Sequence, residues 1–214
     1  MNSKRVSLWK RTACFALLVL ALAALAGCTA EPANQTGATA SQAPSTQSYI
    51  FEAEYVDLTD KAGAGPSNAA LETELVLADA QASNEHYIGY TYFTGLFFDF
   101  VITSDAAQEA TVAITLGSDL GATKINAEAF EIAVNGTPIA FAEFRLPDSS
   151  GKVNKVFKAY DLGTAQLAQG ENTITLKILQ NELYNGGTGG PLIDCITLHT
   201  AATLTWEPHE DNIQ

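Results

Sequence analysis

The chain has 214 residues, 47% of them hydrophobic, and carries 24 Asp+Glu against 11 Lys+Arg for a formal net charge of −13 at pH 7. That length holds one ordinary domain with appendages, and that hydrophobic share excludes general disorder. The acidic balance repels nucleic-acid phosphates and anionic headgroups, which excludes nucleic acid as a partner and suits an extracellular surface, divalent cations and neutral ligands.

At the start of the chain, Lys4, Arg5, Lys10 and Arg11 precede an uncharged apolar run over 13–26. The run has the length of a signal-peptide core and is short for a membrane span. It ends at Leu25-Ala26-Gly27-Cys28, which resembles the bacterial lipobox. The resemblance implies a lipoprotein signal peptide over 1–27, with Cys28 lipidated and the protein held on the outer side of a cell membrane or envelope. Residues 29–48 are mostly Ala, Thr, Ser, Gln and Pro. They bury too little apolar surface to offset chain entropy and read, together with Cys28, as a flexible linker reaching roughly 25 Å. Cys14 lies in the leader, so Cys195 stands alone, with no disulfide framework; its apolar flanks mark it as a small buried hydrophobe.

From residue 49, short β-prone runs alternate with Gly, Asn, Asp and Ser. The expected strands are 49–58, 71–77, 86–92, 96–103, 109–117, 129–134, 137–143, 153–160, 172–180 and 192–199, with a helical turn over 161–170. Asn135-Gly136 suits the type I′ turn of a hairpin. Thr173 to Ile178 alternates polar and apolar residues, giving one face to a core. The pattern predicts an all-β fold, a single sandwich or jelly roll over 49–206 with a polar tail over 207–214. Trp206 reads as a cap on the sandwich edge.

Strand alternation puts Glu52 and Glu54 on one face between Ile50 and Val56, and Asp194 on one face with Leu192, Ile196 and Leu198. Buried carboxylates need partners or a metal, and a hard cation with flexible oxygen coordination, calcium, answers that need. On composition alone the two glutamates fit a solvated edge strand equally well. His86, His199 and His209 form no metal pair or nucleophile relay, so no catalytic group stands out and the chain reads as a non-enzyme.

Phe51-Glu52-Ala53-Glu54 and Gly189-Gly190-Pro191-Leu192-Ile193-Asp194-Cys195-Ile196 resemble the two end signatures of carbohydrate-binding module families 6 and 35. Val134-Asn135-Gly136 and Gly170-Glu171-Asn172-Thr173-Ile174-Thr175-Leu176 are similar to that family's middle and penultimate strands. The resemblance covers 49–200. It implies a galactose-binding-like jelly roll with a structural calcium on Glu52, Glu54 and Asp194, and an oligo- or polysaccharide ligand bound by end loops. Leu192, Cys195 and the lack of an arginine in Ala113-Ile114-Thr115-Leu116-Gly117 depart from the family pattern.

A sugar site wants an aromatic platform beside amide or carboxylate groups. Tyr184 and Asn185, in the Gly-rich loop before the closing strand, supply both; Tyr184 packed inward is the bland alternative. Tyr92, sharing a strand face with Tyr90, and Asp119, in a separate loop, complete the set of candidate ligand-binding residues, although paired tyrosines are more often core. The expected function is a non-catalytic, calcium-containing carbohydrate-binding module on a lipoprotein, serving a partner glycoside hydrolase or surface complex. The rival is a calcium-stabilised structural module for protein–protein contact in a surface complex.

Overall fold

The alternation of the longest strands determines the architecture. In Phe97–Ser104, the residues Phe98, Phe100, Ile102 and Ser104 are buried while Phe97, Val101 and Thr103 face out; in Gly170–Ile178, the residues Asn172, Ile174, Leu176 and Ile178 are buried. A strand with one apolar face must cover it, and these two do so as neighbours in one of two packed sheets. This is a computed structural model, and it describes residues 45–59, 75–91, 94–118, 124–179 and 190–213.

In chain order the strands are β1 (Gln47–Glu52), β2 (Val76–Ala78), β3 (His86–Ile88), β4 (Phe97–Ser104), β5 (Gln108–Ser118), β6 (Lys124–Ile125), β7 (Phe130–Val134), β8 (Thr137–Pro138), β9 (Phe144–Arg145), β10 (Phe157–Leu167), β11 (Gly170–Ile178), β12 (Pro191–Thr200) and β13 (Leu204–Trp206). One sheet runs β10-β5-β12-β3-β2, with β1 also paired to β12; the other runs β13-β4-β11-β7-β8; β6 and β9 form a small ribbon. Every pairing is antiparallel. Val112, Ile114, Leu116, Ile196 and Leu198 of the first sheet share one core with Phe98, Phe100, Ile132, Ile174 and Leu176 of the second. The fold is thus the all-β sandwich that the sequence predicts.

Asn135 and Gly136 take positive φ (52° and 74°), as a type I′ turn requires, and Val134 pairs with Thr137 across it. The helical turn expected over 161–170 does not form. Residues Phe157–Leu167 instead make one strand along β5, with a bulge between Asp161 and Gly163. Local propensity loses here to ten cross-strand pairings. The chain then crosses to the second sheet at a corner pinned by Asn172: its Oδ1 accepts from the Ala168 N–H at 2.7 Å, and its Nδ2 donates to the Ala168 and Gly170 carbonyls at 2.9 Å each.

Trp206 caps the sandwich edge as expected, its ring 5.5 Å from Phe51 and edge-on to it. The stretch read as a polar tail is held in place. His209 N–H donates to the Tyr55 carbonyl at 2.9 Å, and a short 3-10 turn follows over Glu210–Asn212.

Candidate functional site

β1 runs antiparallel to β12 with Glu52 opposite Cys195, so the opening and closing signatures lie side by side. Two local irregularities then set the carboxylates, and both correct the expectation of simple strand faces. After Glu52 the backbone leaves the strand for a 3-10 turn over Ala53–Tyr55. Phe51, Ala53 and Val56 belong to the core, Ile50 is 56% exposed, and Glu54 is fully buried because the chain turns, not because it alternates. In β12 the register on β5 jumps from Ile193↔Leu116 to Cys195↔Thr115, which makes Asp194 the extra residue of a β-bulge. Ile193, Ile196 and Leu198 enter the main core, while Leu192 joins a separate cluster with Ala82 and Tyr87. Asp194 therefore does not share a face with Leu192, Ile196 and Leu198.

The loop before β3 completes the group. Asp79 organises it: its N–H donates to the Glu85 carbonyl at 2.9 Å, and its Oδ1 accepts from Gln81 N–H at 2.9 Å. Asn84 and Glu85 both take left-handed φ (47° and 61°), which swings Ser83 and Asn84 toward the acids. Ser83 donates to Asp194 Oδ1 from its N–H at 2.8 Å and from its hydroxyl at 3.0 Å, and the same hydroxyl contacts Glu52 Oε2. Asn84 Nδ2 donates to Glu54 Oε1 at 2.9 Å and to the Tyr55 hydroxyl at 2.7 Å. Sequence reasoning missed Ser83 and Asn84, whose only signal was a turn-prone Ser-Asn pair before a strand.

All three carboxyls are pushed above their ordinary range, chiefly by burial. Glu54 rises to about 7; the Asn84 amide and a backbone hydrogen bond oppose the rise, and repulsion from Glu52 and Asp194 adds to it. Glu52 rises by burial against the Ser83 hydrogen bond, and Asp194 by burial against the two Ser83 donors. No lysine or arginine contributes to any of the three among the described residues. Glu54 Oε2 is the one buried side-chain oxygen or nitrogen without a hydrogen-bond partner among those residues. An orphaned buried acceptor, three destabilised anions and an oxygen-only carboxylate set fit a hard cation in kind. As they stand, no three His, Cys, Asp or Glu side chains among the described residues close on a single point; Ser83 bridges Glu52 and Asp194, and Asn84 joins Glu54 to the Tyr55 hydroxyl. Cys195 beside them is buried, its thiol pushed up to about 11 chiefly by burial, as an inert small hydrophobe should be.

Tyr92, Asp119, Tyr184 and Asn185 lie outside the described residues, as does Cys28. Their chain neighbours do not. Pro191 pairs with Ser118, the residue before Asp119. The Thr91 hydroxyl, one residue before Tyr92, donates to the Pro191 carbonyl. Gly190, which ends the stretch carrying Tyr184 and Asn185, sits so tightly on Thr91 that a Cβ there would lie 2.7 Å from Thr91 backbone atoms. The three segments bearing the candidate ligand residues thus spring from one corner. A separate open groove of about 580 Å³ lies along the outer face of the β13-β4-β11 sheet, lined among others by Asp99, Val101, Glu171, Trp206, Glu207 and His209.

No family model matches the chain, and no curated protein does. Solved structures do. A family 35 carbohydrate binding module from an environmental isolate is 18% identical, with a TM-score of 0.47 over 74% of this chain and 97% of that one. The family 35 module of Abf62 from Cellvibrio japonicus is 13% identical, with a TM-score of 0.45 over 75% and 97%. A Podospora anserina β-(1,4)-mannanase carrying such a module is 19% identical, with a TM-score of 0.46 over 71% of this chain; the chain spans only 27% of that enzyme. In fold, the chain is similar to family 35 carbohydrate-binding modules.

Proposed function

We propose that this chain is a non-catalytic carbohydrate-binding module, stabilised by calcium and displayed as a lipoprotein on the outer side of a cell envelope. The observation that carries the binding reading is the common corner at Thr91, Ser118 and Pro191. An aromatic platform, amides and a carboxylate drawn from separate segments form a sugar site only if those segments converge, and the contacts of Pro191 with Thr91 and Ser118, next to them in the chain, support that reading. An oligo- or polysaccharide is the ligand class such a mixture suits, since sugars present apolar C–H faces rimmed by hydroxyls. The lipid anchor at Cys28 rests on the lipobox resemblance, and a partner glycoside hydrolase or surface complex on the family's usual setting.

Glu52, Glu54 and Asp194 are the residues that would hold calcium. When bound, the ion would supply positive charge to two buried carboxylates, Glu54 and Asp194, and to the half-buried Glu52, and would tie β1 to β12. The chain's own part is to bring these groups together: the 3-10 turn buries Glu54, the β12 bulge frees Asp194 from the ladder, and the loop before β3 braces both.

Glycan-array binding of the fragment beginning at Ala43, where the main compact unit starts, tests the reading. The expected result is retention of a defined glycan class, lost in Tyr184→Ala. A blank array would move the assignment to a protein-contact module. The groove beside Trp206, next to exposed Val101 and Phe97, is the surface that would then be first to test.

A further inference from the structure

A three-residue 3-10 turn leaves its last carbonyls without partners inside the turn. Beyond Glu54 and Tyr55 the chain runs on extended through Val56, so the carbonyls of 54, 55 and 56 must find donors elsewhere. All three find them in one place. Asn212 Nδ2 donates to the Glu54 carbonyl and to the Val56 carbonyl, at 2.7 Å each, and His209 N–H donates to the Tyr55 carbonyl at 2.9 Å. The primary amide has two N–H groups, and the turn uses both.

Asn212 is itself oriented by a second 3-10 turn, in which its N–H donates to the His209 carbonyl at 3.3 Å. The contact spans more than 150 residues of sequence, with separations of 158 and 156. It fixes the one backbone stretch that decides where the Glu54 carboxyl points. On the side-chain end, Glu54 Oε1 accepts from Asn84 Nδ2, and Oε2 has no hydrogen-bond partner among the described residues. The backbone clamp therefore bears directly on where that oxygen lies.

We infer that Asn212, with the His209 N–H beside it, is a positioning residue for the carboxylate centre: the segment 209–212 clamps the turn that presents Glu54 to the cation. The inference rests on the calcium reading proposed above. Outer partners that orient a ligand are worth about 10- to 100-fold in metal affinity. Asn212→Ala, and Asn212→Asp with both donors removed at nearly constant shape, are each expected to weaken calcium binding by about 10-fold.

The test is calcium titration calorimetry on the full chain and both variants, with thermal melts in chelator and in saturating calcium. A clamp acting through Glu54 weakens the calcium dissociation constant and shrinks the calcium-induced rise in melting temperature. A merely structural hydrogen bond lowers the melting temperature equally with and without calcium and leaves the affinity unchanged; that result overturns the inference while leaving the calcium reading intact. A wild-type chain that gives no calcium isotherm overturns the calcium reading itself, and the inference with it. Asn212→Asp guards against a folding failure of the alanine variant, with a cooperative melt in chelator as the criterion that either variant is folded.

Discussion

Glu54 carries an electrostatic cost that depends on pH in an unusual direction. Its carboxyl titrates near 7 in the folded chain against 4.5 in an ordinary setting. Between those values the folded state holds more protons than the unfolded state, so stability falls as pH rises. Metal-free protein should therefore lose melting temperature steadily from about pH 5 to pH 7.5, in the same sense for Glu52 and Asp194, whose carboxyls are also raised. Glu54→Gln, which cannot ionise, should flatten much of that slope and abolish most of the stabilisation by calcium. A melting temperature that climbs across this range in chelator would mean the carboxylates are already ionised and paired. At the neighbouring corner, Gly190→Ala forces a Cβ to within 2.7 Å of Thr91 backbone atoms. Overpacking of that kind costs about 1–3 kcal/mol, and denaturant unfolding of the variant should register it. The identity of the three acids was legible in the sequence, because carboxylates among core-type residues are conspicuous. Their geometry was not: neither the turn after Glu52 nor the bulge at Asp194 leaves a mark that alternation can read, and Ser83 and Asn84 declare themselves only through contacts more than 25 residues away.

At the scale of elements, strands with long alternating patterns announced themselves, and segments decided by their neighbours did not. β4, β5 and β11 follow the expected strands within a residue or two, since each repeats the apolar period of one buried face. Residues 161–170 read locally as helical, yet β5 recruits most of them as a strand. The span expected as a strand over 137–143 shortens to Thr137–Pro138, paired with Val134 and Ala133: Pro138 has no N–H to give the ladder, and one further bond, from Ile139 N–H to the Ile132 carbonyl, follows it. The corner between β10 and β11 makes a prediction. Asn172 is 1% exposed and holds the Ala168 N–H, two carbonyls and the Asn135 amide. Asn172→Ala strands several of these groups, at about 1–3 kcal/mol for each one left buried and unpaired. Chemical denaturation should show a loss of about 2–4 kcal/mol, with calcium affinity unchanged because the corner belongs to another part of the fold. A loss below roughly 0.5 kcal/mol would mean that water or relaxation replaces the pin.

Across the whole folded unit, the carboxylate centre sits where chain entropy is hardest to recover. β1, the loop before β3, β12 and the 209–212 segment come from widely separated parts of the sequence, and all meet at Glu52, Glu54 and Asp194. Without a cation, the charges that join them repel, while the β4-β11-β7 sheet is held by apolar packing that owes nothing to metal. A ligand that binds only the folded state stabilises it by about 2.7 kcal/mol at a concentration 100 times its dissociation constant. That gain should be unevenly distributed. Hydrogen exchange in chelator against calcium is expected to accelerate at the backbone N–H groups of residues 51–56, 83–86, 193–196 and 209–212, and to leave 98–102 and 172–178 as slow as before. Magnesium should protect the first group poorly, since its strict octahedron is hard to fill from scattered ligands, whereas calcium accepts irregular oxygen sets. Uniform acceleration over both sheets would place the metal's contribution in global stability alone. Protection unchanged everywhere would remove the ion from the fold and leave the hydrogen bonds of Ser83, Asn84 and Asn212 to hold the three acids in place.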